Sequence, residues 1–166
     1  QISTNYVILS FEDMILIDYV DQGSIRSALK ILDKYEISFV RLLKSGISNS
    51  QGFDFFNIPL HNLSNLDFSF SITPTIWDRE WLVSVLENYP DLSVWDLENK
   101  ASREIKDFQG LYWYNGENQR GGHYDSSIYP HICSAILKGR WNLSEYPELS
   151  PLLEKYGINP EVRGCV

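Results

Sequence analysis

Basic residues are scarce in this sequence: 14 Lys and Arg face 22 Asp and Glu, for a net charge of −8. That balance argues against a broad nucleic-acid or anionic-membrane surface, although a local phosphate site stays compatible with it. Apolar stretches are interrupted by charge well short of the roughly 20 residues a membrane helix needs, so no transmembrane segment is expected. No basic leader followed by an apolar segment opens the chain, so no export signal is visible. Gln1 stands where an initiator Met would be, and the sequence reads as a fragment or a processed form. The two cysteines, Cys133 and Cys165, lack metal-like spacing and read as reduced thiols, which fits a cytoplasmic protein. Gly-x-Gly-x-x-Gly and Walker-type loops are missing, which removes the usual dinucleotide and P-loop readings. Without a Gly-x-Ser-x-Gly elbow or an HExxH motif, serine or thiol hydrolase chemistry has no support. There is no internal repeat, low-complexity tract or obvious linker.

What is present is enough for one soluble globular domain. The 166 residues are 43% hydrophobic and 22% charged, a size and composition that can bury a core. Aromatics reach 14%, with five Trp; such rings fill cores, and exposed Trp and Tyr also make stacking floors for sugars.

The pattern along the chain interleaves strands and helices, an α/β or α+β arrangement. "YVILSF" (6–11) predicts a buried strand, and "MILI" (14–17) a second short one after a break at the acids. "DQGSIRSALKILDKY" predicts a helix with Ser24 as N-cap and Ile25, Ala28, Leu29 and Leu32 on one face. "ISFVRLL" (37–43) then predicts a strand pairing in parallel with the first. Residues 44–65 read as loop. "FSFSIT" (68–73) reads as a strand, and "IWDREWLVSVLENY" as a helix capped by Thr75. Ser93 and Asp96 form a capping box for the next helix. "LYWYN" (111–115) is a strand, "GENQRGGHYDSSIY" a mobile loop and "HICSAILKGRW" a strand running into a turn. "PELSPLLEKYGI" is a closing helix ended by Gly157.

Three groups of residues are candidates for chemistry. Glu12 and Asp13 end an apolar strand. An acidic pair there is either a solvated turn or a set of oxygen ligands for Mg²⁺ or Mn²⁺. Trp77–Asp78 and Trp95–Asp96, with Glu98 close behind, put carboxylates beside indoles. A ring can stack on a sugar face while an acid accepts a hydroxyl proton. Equally, Asp78 and Asp96 can favour helix N-termini while Trp77 and Trp95 fill the core. In "HYDSSIYPHICSAILKGRW", His123 and His131 flank Asp125, and Lys138 and Arg140 follow. A His could complete a metal shell and the basic pair could neutralise a diphosphate; a lone His is more often structural.

Taken in order, "YVILSFEDMILIDYVD", "SFVRLLKSG", "SFSITPTIWDREWLVSVL", "SVWDLE" and "LKGRW" resemble glycosyltransferase-like proteins of the GT-A, nucleotide-diphosphosugar transferase fold. The resemblance implies a single domain over 1–166, an α/β fold with a mixed sheet flanked by helices, like the C-terminal half of GT-A. The nucleotide-binding strands that usually precede the acidic motif are not in it. It further implies transfer of a sugar from a nucleotide-sugar donor to a glycan or lipid-linked acceptor, with no nucleic-acid partner. Glu12, Asp13 and His131 would hold Mn²⁺ or Mg²⁺, although Glu-Asp-Met departs from a strict Asp-x-Asp. Glu98 or Asp96 would be the catalytic base, and Trp77, Trp95, Lys138 and Arg140 would bind substrate. The alternative is a non-catalytic carbohydrate- or protein-binding domain derived from that fold.

Overall fold

The computed structural model describes residues 3–45, 58–63, 70–105 and 108–166. The chain starts with β1 (Tyr6–Leu9) and the short β2 (Ile15–Leu16). Between them the Met14 N–H donates to Phe11 O at 3.0 Å, closing a turn whose two central residues are Glu12 and Asp13. The break expected at the acids is therefore a β-turn.

α1 (Gln22–Tyr35) follows. Its cap is Asp21 and not Ser24: the Asp21 carboxylate accepts from the Gly23 and Ser24 amides at 2.9 and 3.2 Å, and Ser24 Oγ donates to its other oxygen. The expected N-cap thus lies inside the helix as a partner of the true one. Ala28, Ile31 and Leu32 are buried.

Next come β3 (Phe39–Arg41), β4 (Leu60–Leu63) and β5 (Thr75–Asp78). β4 turns the end of the expected 44–65 loop into a strand; residues 46–57 and 64–65 of that loop lie outside the described residues. The strand expected at 68–73 is displaced. Residues 68–69 lie outside the described residues, and 70–74 form no strand. Their backbone is held by a helix instead: the Phe70 and Ile72 amides donate to Ser102 Oγ (3.1 Å) and Glu98 Oε1 (2.7 Å). The strand is Thr75–Asp78, so Ile76 and Trp77 belong to the sheet. α2 (Arg79–Asn88) starts only after Asp78, whose carboxylate accepts from Trp81 N at 2.8 Å. Thr75 is a strand residue, not the cap. α3 (Val94–Glu104) has Ser93 as N-cap, as expected.

β6 (Gly110–Trp113) completes a five-stranded mixed sheet in the order β1-β5-β3-β6-β4. β5 runs antiparallel to both β1 and β3, β3 is parallel to β6, and β4 is antiparallel to β6. β1 and β3 therefore point the same way, but β5 lies between them and the expected direct pairing does not occur. Alternation along the strands divides the core. Val40, Ile76 and Leu111 meet α1 on one face. Phe39, Trp77 and Tyr112 meet Leu82, Val85, Leu97 and Ala101 of α2 and α3 on the other. On that second face Trp77 and Trp81 stack at 5.6 Å and 6°, with Phe39 4.7 Å from Trp77. The fully buried Phe39 ring contributes about 1.5–3 kcal/mol of apolar transfer. Phe39 also covers Gly110, where a Cβ would lie 2.3 Å from its ring.

The remainder is built from short ribbons: β7 (Gln119–Arg120) with β8 (His123–Tyr124), β9 (His131–Ile132) with β2, and β10 (Ile136–Leu137) with β11 (Arg140–Trp141). The segment expected to be a mobile loop is fastened at several points. Glu117 accepts from Asn115 N, Trp113 Nε1 and Ser127 Oγ. Arg120 pairs with Asp125 and Glu148. Lys44 lies between the rings of Tyr114 and Tyr124, at 4.5 and 4.7 Å. α4 (Leu149–Lys155) is the expected closing helix, followed by Gly157 at φ 65°. No helix among the described residues is long and apolar enough to cross a membrane.

Candidate functional site

β1 and β3 deliver their last residues to the same end of the sheet, where ligands of α/β sheets usually bind. There a cleft of about 590 Å³ opens. Four of the nine candidate residues line it: Glu12 and Asp13 from the turn after β1, and Trp95 and Glu98 from the first two turns of α3. Ser71, Thr73, His123, Cys133 and Arg163 also contribute to its wall.

Of the two readings of the acidic pair, the turn is what the structure shows, and that turn borders the cleft. Glu12 is exposed there. The turn's position is set by the Ala135 N–H, which donates to Asp13 O at 3.0 Å. Burial pushes the Asp13 carboxyl above its ordinary range, and the neighbouring Glu12 charge adds to this. A nearby cation would relieve that repulsion. Two carboxylates on one turn fit a hard divalent ion, which commonly keeps several waters and takes phosphate oxygens besides one or two protein carboxylates. Among the described residues, no group of three or more His, Cys, Asp and Glu gathers as a metal-holding set.

Glu98 is only 6% exposed. Because Cα–Cβ bonds at i and i+3 share a helix face, it projects with Trp95 toward the cleft. Its Oε1 holds the Ile72 amide, while Oε2 makes no hydrogen bond among the described residues. Behind it lies Arg41, fully buried at the end of β3, whose pKa is lowered to about 10 by burial against the opposing pull of the Glu98 charge. The guanidinium donates to Ser45 Oγ at 2.6 Å. His123 is held below its ordinary pKa by burial, with Glu98 raising it and Arg41 lowering it, and is neutral at pH 7. Trp95, in contrast, is 73% exposed at the cleft's edge.

The other five candidates stand elsewhere. Trp77 is fully buried between Phe39 and Trp81 and does not line this cleft, which makes it a core residue and not a sugar platform. Asp96 is exposed and serves the capping box, accepting from Ser93 Oγ at 2.6 Å; it borders a separate depression with Asn99, Lys100 and Arg103. His131 is 2% exposed and does not line the cleft. Its Nδ1–H donates to Tyr129 O at 2.7 Å, which leaves Nε2 to accept from the Cys133 thiol at 3.1 Å. Burial pushes that thiol up to about 12 and lowers the imidazole, so both are neutral at pH 7. Lys138 and Arg140 belong to the β10–β11 hairpin, with Lys138 and Gly139 at φ 50° and 78° forming its two-residue turn. Both side chains are exposed away from the cleft wall.

Arg41 and Arg163 were missed at the sequence level. An arginine inside "ISFVRLL" poses the same question as the acids after β1, since a charge in a buried strand needs a partner. Arg163 carries no local signal; only the path of the chain brings it to the cleft. No protein family matches this sequence, and comparison with curated proteins and with solved structures gives no match either.

Proposed function

We propose that the chain is a glycosyltransferase-like domain that takes a nucleotide-diphosphate sugar at this cleft and passes the sugar to a glycan or lipid-linked acceptor. The observation that carries it is the meeting of an acidic turn and an indole–carboxylate pair, far apart in sequence, in one cleft at the carboxyl ends of β1 and β3. Glu12 and Asp13 would hold Mn²⁺ or Mg²⁺, and the ion would offset charge on the departing diphosphate. Trp95 offers its exposed face to a sugar ring. Glu98 accepts the acceptor hydroxyl proton through Oε2 while Oε1 keeps the carboxylate oriented on the Ile72 amide. Arg41 behind it, still charged at pH 7, stabilises the carboxylate before the proton arrives. His123 stays neutral and adds no charge to the site.

The test is calorimetric titration of UDP and GDP with and without Mn²⁺. Wild type should bind one of them in a Mn²⁺-dependent way, and the Glu12→Ala/Asp13→Ala double variant should lose that dependence. Unchanged affinity in the variant removes the metal role. The exposure of Trp95 favours a second reading, a carbohydrate-binding domain without catalysis. In that case a glycan array gives binding that Trp95→Ala abolishes, while neither nucleotide binds.

A further inference from the structure

The segment from Pro160 to Val166 does not trail away from the fold. Gly164 N–H donates to Pro160 O at 2.9 Å, closing a tight turn. The Trp141 N–H then donates to Gly164 O, the Val166 N–H to Trp141 O and the Ser144 N–H to Val166 O, at 2.9–3.0 Å. Cys165 forms a parallel bridge to Trp141. The segment is thus sewn along β11, and Gly164, at φ 77°, makes the bend that the sewing requires.

This places Arg163 in the cleft wall. Its guanidinium lies over the Trp141 ring, 5.5 Å from the centroid. Among the described residues it makes no ion pair or hydrogen bond. The described residues of the cleft wall include three carboxylates, Glu12, Asp13 and Glu98. Among the described residues that line it, Arg163 is the only Lys or Arg. Its five donors are unspent and arranged for bidentate contact with a phosphate or carboxylate. The ring beneath it orients the planar group without using those donors. Lys138 and Arg140, on the hairpin, have charge but no place in the cleft.

We infer that Arg163 is the anion-binding residue of this cleft, held by the sewn 160–166 segment to receive the diphosphate of the donor. The inference rests on the donor reading proposed above, and names the residue that reading lacks. It also makes residues 160–166 part of the binding site.

Calorimetric titration of inorganic pyrophosphate, in the presence of Mn²⁺, tests it. Arg163→Met keeps a long unbranched chain over Trp141 but removes the charge, and Arg163→Lys keeps the charge without the fork. Pyrophosphate affinity should fall about tenfold or more in Arg163→Met and recover in part in Arg163→Lys. The thermal midpoint and the response to Mn²⁺ alone should stay as in wild type. Lys138→Met and Arg140→Met should bind as wild type does. Arg163→Met binding within about twofold of wild type overturns the inference, as does Arg163→Lys no stronger than Arg163→Met. So does a comparable loss in Lys138→Met or Arg140→Met. Wild type that binds pyrophosphate regardless of residue 163 removes this assignment alone; wild type that binds neither pyrophosphate nor a nucleotide removes the donor reading with it.

Discussion

Replacing Glu98 tests two roles apart: the anchoring of the Ile72 amide by Oε1 and the proton acceptance proposed for Oε2. The carboxylate is 6% exposed, and its Oε1 satisfies the Ile72 amide at 2.7 Å. A hydrogen bond to a charged group is worth about 1.5–3 kcal/mol, and an amide left unpaired costs about 1–3 kcal/mol. Glu98 also opposes the effect of burial on Arg41, the fully buried cation behind it. Removing one member of a buried charge pair costs about 3–5 kcal/mol where the two are in direct contact. Arg41 and Glu98 are coupled coulombically, and the lower part of that range is taken for the loss of this coupling. Glu98→Ala should therefore destabilise the domain by about 2–4 kcal/mol. Glu98→Gln keeps an oxygen for Ile72 and should lose about half as much. Urea unfolding followed by tryptophan fluorescence reads both as a shift in midpoint at constant slope. A Glu98→Ala loss below about 0.5 kcal/mol, the level of an ordinary surface change, refutes the buried-anchor argument. The glutamine variant also tests the proposed catalytic role: on that proposal it should keep nucleotide binding yet lose sugar transfer.

Two further outcomes follow from the geometry. Gly110→Ala drives a methyl to 2.3 Å from the Phe39 ring, which is fully buried and hemmed in by Trp77; overpacking of this kind costs about 1–3 kcal/mol, measurable as a lower urea midpoint. Asp13, whose carboxyl is raised mainly by burial, holds its proton more tightly in the folded state than in the unfolded one. Its contribution to stability is thus present at low pH and lost as pH rises through the raised range. Mn²⁺ needs the ionised form, so its affinity should weaken as pH falls through that range in wild type but not in Asp13→Asn, as read by calorimetry in weakly coordinating buffers.

Local signals were readable wherever a local interaction decided the structure. The break after β1, the Ser93–Asp96 box and the stop at Gly157 all depend on residues within one turn of each other. Trp77 shows how periodicity misleads. Its four-residue spacing from Trp81 is that of a helix face, but the pair stacks across a strand-to-helix junction. Tertiary burial in the sheet overrode the helical pattern. Asp21 and Ser24 both suit an N-cap, and the longer reach of the carboxylate to two amides decided between them. In the cleft, the acids and the Trp95–Glu98 pair were legible as chemically odd residues. His131, Lys138 and Arg140 were drawn in by their position in the sequence, and the ribbons that carry them face elsewhere. Arg163 reaches the cleft only through backbone pairing with Trp141, which no spacing rule encodes.

The insertion of β5 between β1 and β3 has a consequence for how the molecule assembles. Both early strands must wait for a partner that emerges after them, so neither acquires its shared neighbour until residues 75–78 have been made. Non-local pairing of this sort slows folding, because loop closure comes before the contacts that reward it. The acidic turn and the base of Arg41 therefore come into register only when Thr75 docks between Leu9 and Arg41, and a nascent chain halted before that residue exposes two unsatisfied strand edges to its surroundings.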